Sequence, residues 1–134
     1  MKEIKRITIT SHSGNCTMDG VYDDRLSITA GSITYEYKPF RPSAENPHVK
    51  WSHRTNSAEY AKQFKAICKL TEKALKKNRQ EYYYDVGGIG FCITYADNTR
   101  IIKETDTWDK SFRELFDAIR KMIPQGERVP VVIE

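Results

Sequence analysis

The stretch Leu26–Tyr37, LSITAGSITYEY, sets Leu26, Ile28 and Ala30 on one alternating face, then Ile33, Tyr35 and Tyr37 on another, with Gly31-Ser32 between the two runs. Apolar and polar side chains alternating with a period of two mark a half-buried strand, and two such runs around a short glycine-containing reversal predict a β-hairpin. The fold reading grows from this hairpin. Upstream, IKRITIT (4–10) alternates in the same way and is rich in β-branched residues, which predicts a strand ending near residue 11. Downstream, Pro39, Pro42 and Pro47 remove backbone donors and disfavour helix before them, so residues 39–47 read as a surface loop leading to a short strand through Val49, Trp51 and His53.

The period then changes. Tyr60, Phe64, Ile67, Thr71 and Leu75 recur at helical spacing, with Asn56 as the expected N-cap and Glu59 as its capping-box partner, predicting a helix over about 57–78. Lys62, Lys65, Lys69, Lys73 and Lys76 fall on the opposite side of that helix. After it comes YYYDVGGIGF (82–91), whose tail continues into the alternation Ile89, Phe91, Ile93, Tyr95. Asp97-Asn98 separates this strand from TRIIKE (99–104), a second hairpin. Tyr82 to Asp85 read as a further strand or as the loop back to the sheet. Phe112, Leu115, Phe116, Ile119 and Met122 predict a second helix over roughly 108–123, with Thr107 as cap and Pro124-Gln125-Gly126 as terminator. VPVVIE reads as an edge strand or a packed tail.

These elements predict an α+β fold: one mostly antiparallel sheet of short strands with two helices packed against one face, in a single domain over residues 1–134. A composition of 39% hydrophobic and 30% charged residues suits one continuous core and excludes a disordered or low-complexity chain. The net charge of +4 permits an acidic partner without demanding one. The start MKEIKR leads into no apolar segment, and no run approaches the roughly 18 apolar residues of a membrane span. Cys16, Cys68 and Cys92 are an odd, widely spaced set without a CxxC pair, so reduced thiols and cytoplasmic residence are expected.

GGIGF lacks the Lys-Ser or Lys-Thr and the following helix of a phosphate loop, and its spacing is not that of a dinucleotide fingerprint. Its glycines read instead as devices that start a strand and let a neighbour approach Gly90 closely. His48 and His53 form a pair without the ligand number of a metal site, and His12 with Cys16 is weaker still. No metal or cofactor is expected. Ser13 and Cys92 have no catalytic context, and Asp23-Asp24 or Glu104 with Asp106 would do acid/base work only if the fold converged them. The chain therefore reads as non-enzymatic, with a small hydrolase as a remote alternative.

DVGGIGFCITYADNT, the Phe- and Leu-rich helix after it and IPQGERVP resemble small uncharacterised α+β proteins of Gram-positive bacteria, over Asp85 to Pro130. That resemblance implies a glycine-preceded strand, a YxDx hairpin turn in which Asn98 stands where Gly is usual, and a C-terminal helix ending at Ile-Pro; it implies no activity. The functional expectation comes from the surface: a binding or accessory domain that meets an acidic protein through Lys62, Lys65, Lys69, Lys73 and Lys76 and the adjacent Tyr82, Tyr83 and Tyr84. The alternative is nucleic acid, with the lysines on phosphates and the tyrosines stacking on bases. The helix's apolar side is committed to the sheet, so a membrane is not an expected partner, and the sequence leaves homo-oligomerisation open.

Overall fold

The computed structural model describes residues 3–12, 21–77, 88–105 and 110–133. Strands β1 (Ile4–His12), β2 (Tyr22–Thr29), β3 (Ser32–Pro39) and β4 (Val49–Arg54) precede helix α1 (Ala58–Lys77). Strands β5 (Gly88–Tyr95) and β6 (Arg100–Thr105) precede helix α2 (Lys110–Met122), and a 3-10 turn, Val131–Ile133, follows. The strands form one sheet in the order β4-β3-β2-β1-β5-β6, antiparallel throughout. The expected α+β architecture is the observed one.

Register sorts the strands into two faces. Ile7 lies opposite Ile28 and Ile93, and Ile28 opposite Ile33; Ile9 lies opposite Leu26 and Phe91, and Leu26 opposite Tyr35. All of these side chains are buried beneath the two helices with Tyr60, Phe64 and Ile67 of α1 and Phe112, Leu115 and Ile119 of α2. The other face has no layer over it among the described residues. Its rows run Arg54-Ser32-Thr29-Arg6-Thr94-Arg100 and Ser52-Thr34-Ser27-Thr8-Cys92-Ile102 across the six strands. One apolar and one polar face is what an antiparallel sheet covered on one side requires.

Several local expectations shift. The first hairpin reverses at Ala30-Gly31, with Thr29 paired to Ser32, one residue earlier than the glycine-serine step predicts. Ser57 caps α1 instead of Asn56: the Tyr60 amide donates to Ser57 Oγ at 3.4 Å, and the Ala61 amide to the Ser57 carbonyl at 3.2 Å. Serine's short hydroxyl reaches the third amide of the helix, so the box with Glu59 is not formed. Pro39 ends β3 instead of opening the loop, opposite Tyr22. Residues 129–133 of VPVVIE form a packed tail, not a strand. Thr107, Trp108 and the Tyr82–Asp85 segment lie outside the described residues.

The second hairpin explains its asparagine. Asn98 has φ 69°, the left-handed conformation that glycine usually supplies. The Asp97 side chain secures the turn by accepting from the Thr99 amide at 3.0 Å and the Thr99 hydroxyl at 2.6 Å. Gly90 faces the open side of the sheet: a Cβ there would sit 2.8 Å from Thr10 Oγ1. The close neighbour that the sequence leads one to expect is a cross-strand threonine.

One core group is ill matched to its site. The Tyr60 hydroxyl is buried with no partner among the described residues, and burial pushes its phenol up to about 12. Tyr60→Phe removes only that oxygen, so stability is expected to hold or to rise by up to about 1 kcal/mol in urea unfolding. A loss of similar size would show that the hydroxyl is satisfied.

Candidate interaction surface

Helix α1 places its side chains by its own period. Tyr60, Phe64, Ile67, Thr71, Ala74 and Leu75 are buried, and Thr71 satisfies its hydroxyl by donating to the Ile67 carbonyl at 2.8 Å. Lys62, Lys65, Lys69, Lys73 and Lys76 are all exposed. At about 100° per residue they fall within about 80° of the helix circumference and extend about 21 Å along its axis. Lys73 Nζ lies 3.9 Å from Glu114 Oε2 on α2; the other four have no carboxylate partner among the described residues. The lysines therefore form one continuous basic face. Tyr82, Tyr83 and Tyr84 lie outside the described residues.

Beside this face is a groove of about 780 Å³ between α1 and the adjacent end of the sheet. Ile4, Ala61, Phe64 and Cys68 give it an apolar floor, the Ala30-Gly31 turn forms one wall, and Lys65 and Lys69 stand at its rim with Glu72. Burial, followed by the charges of Glu72 and Glu3, pushes the Cys68 thiol up to about 12, so this cysteine is a poor nucleophile at neutral pH. Cys68 lies on the helix side of the sheet and Cys92 on the open side, and both are free.

Other sequence candidates separate in space. Asp23 and Asp24 point to opposite faces because they are neighbours on a strand. Asp23 is exposed, while Asp24 is buried and accepts from the Ser11 hydroxyl, the Tyr35 hydroxyl at 2.8 Å and the Val131 amide at 3.1 Å. This cluster ties the tail to the sheet. Trp51 Nε1 reinforces it by donating to the Arg128 carbonyl at 2.9 Å, and the Arg128 guanidinium lies 3.9 Å over the Tyr37 ring. The signal for Asp24 was present in the sequence: the Leu26-Ile28 alternation, carried back two residues, places it on the core side.

His48 hydrogen-bonds Glu36 at 2.8 Å, and that bond, with Lys38 and Lys50 nearby, holds the Glu36 carboxyl below its ordinary value. His53 sits on the other face of β4, opposite Ile33, so the two histidines do not converge. No group of three His, Cys, Asp or Glu residues gathers around a common point among the described residues. No described helix is long and apolar enough to cross a membrane.

No protein-family model and no curated protein matches the chain.

Proposed function

We propose that this chain is a non-enzymatic, cytoplasmic binding domain that holds an acidic protein segment along the outer face of α1. The observation that carries the reading is the juxtaposition of lysines and apolar groove, with Lys65 and Lys69 on the rim and Phe64, Ile4 and Cys68 below them. Charges at a rim steer an acidic partner and set its salt dependence, while an apolar recess takes a side chain and excludes water. A nucleic acid would use the lysines for its phosphates, but its bases stack on exposed rings and the ring in this recess, Phe64, is only 4% exposed, which favours a protein over the nucleic-acid alternative.

The test compares a fluorescent peptide of glutamates around a single phenylalanine with single- and double-stranded DNA, by anisotropy over a salt series. The peptide is expected to bind in a salt-sensitive way and to lose about tenfold or more in affinity when Lys65 and Lys69 are changed together to Glu. Ala30→Trp, which narrows the groove from an exposed turn, should weaken the peptide while leaving the lysines untouched. If DNA binds more tightly than the peptide and Ala30→Trp has no effect, the nucleic-acid reading replaces this one. Absence of any salt-sensitive complex would sink both.

A further inference from the structure

The two edge strands of the sheet have the same geometry and opposite chemistry. Just after β4 the Thr55 amide donates to the Gly31 carbonyl at 2.9 Å, and just before β6 the Thr99 carbonyl accepts from the Tyr95 amide at 2.9 Å. Antiparallel ladders alternate hydrogen-bonded and non-bonded pairs, so these contacts set which residues turn their N–H and C=O away from the sheet. On β4 they are Lys50, Ser52 and Arg54; on β6 they are Arg100, Ile102 and Glu104. Among the described residues neither edge has a further strand beside it.

A second copy of the chain can add to such an edge across a two-fold axis, and all three outward residues pair only when the axis passes through the middle one. On β4 that register sets Lys50 against the partner's Arg54, twice, and like charges directly opposite one another repel. On β6 the same register sets Arg100 against the partner's Glu104, twice, with Ile102 against the partner's Ile102 between them. The strand is complementary to itself.

Exposure agrees with the register. Ile102 is 73% exposed and Ile101 41% exposed, on an edge with no proline and no register break against β5. Native edges are usually blunted by proline, by a bulge or by charge; β4 carries only the like charges Lys50 and Arg54 at its outward ends, whereas β6 carries the opposite charges Arg100 and Glu104 there. On the helix side, Ile101 would lie opposite the partner's Lys103, whose aliphatic stem covers it. A second groove, of about 560 Å³ and lined by Leu75, Ile93, Tyr95 and Ile101, borders this edge and widens the apolar area beyond the strand itself.

We infer that two copies of this chain join through β6, continuing the sheet antiparallel across a two-fold axis at Ile102. Lys76 of the lysine face and Glu72 also line the groove beside this edge, but the pairing itself uses only Arg100, Ile102 and Glu104. Sedimentation velocity over a concentration series tests the inference. The wild-type chain is expected to move reversibly to twice the chain mass. Arg100→Glu and Glu104→Arg, each alone, replace two attractions with two repulsions and should weaken the dimer by about tenfold or more. The double variant Arg100→Glu/Glu104→Arg restores both pairs and should recover most of the affinity, while Ile102→Lys should leave a folded monomer by circular dichroism. A wild-type chain that remains monomeric at its highest soluble concentration overturns the inference. So does a double variant no tighter than the single ones, because the register predicts rescue.

Discussion

Asp24→Ala is expected to lower the unfolding free energy by about 3 to 5 kcal/mol, because three donors lose one buried acceptor and each abandoned group carries a penalty of about 1 to 3 kcal/mol before relaxation. Ser11, Asp24 and Tyr35 are each no more than 5% exposed, so water reaches the site poorly. The effect should also be local. Hydrogen exchange at the Val131 amide should accelerate, since Asp24 Oδ2 accepts from it, and the Trp51 emission should change as the Arg128–Val131 segment loosens. Asp24→Asn offers a control: an amide oxygen at the Oδ2 position still accepts from Tyr35 and Val131, and its NH2 can donate to Ser11, whose hydroxyl turns to accept. A loss of only about 1 kcal/mol is expected there. Equal losses for alanine and asparagine would show that the carboxyl's partners do not matter.

Phe112→Ala should also cost about 3 to 5 kcal/mol in urea or thermal unfolding, the range for removing a large ring from a packed core. Phe112 is fully buried, with its ring centre 5.6 Å from that of Phe91 on β5 and 6.0 Å from that of Phe116 on α2. It joins helix to sheet. Phe112→Leu keeps most of the volume and should lose less, about 1 to 2 kcal/mol. A loss below about 1 kcal/mol for alanine would mean that α2 contributes little to the cooperative core.

The elements that were legible in the sequence are those whose signal is local. Leu26, Ile28, Ile33 and Tyr35 announce strands because alternate side chains on a strand must share a face, and Phe64, Ile67 and Thr71 announce a helix because its turn brings such positions together. The lysine stripe was readable for the same reason: once the apolar side of α1 is known, the opposite side follows from the helical period. Cap and turn positions shifted by one residue, as with Ser57 and Ala30-Gly31, because neighbouring polar and glycine residues compete for them on small energy differences.

The sequence by itself determined the α+β class, both hairpins, both helices and the exposure of Lys62 through Lys76, since each depends on periodicity along a short run. Only the tertiary structure decided that the first strand lies in the middle of the sheet, between β2 and β5, because that pairing joins residues some 80 positions apart and no local pattern encodes it. It also brought Val131, 107 positions away, to the buried Asp24 carboxylate, a contact that the strand period alone does not encode. The groove beside Lys65 and Lys69 and the free edge at Arg100, Ile102 and Glu104 belong to the same category. A groove needs two elements and an edge needs a strand order, so neither exists until distant segments have met.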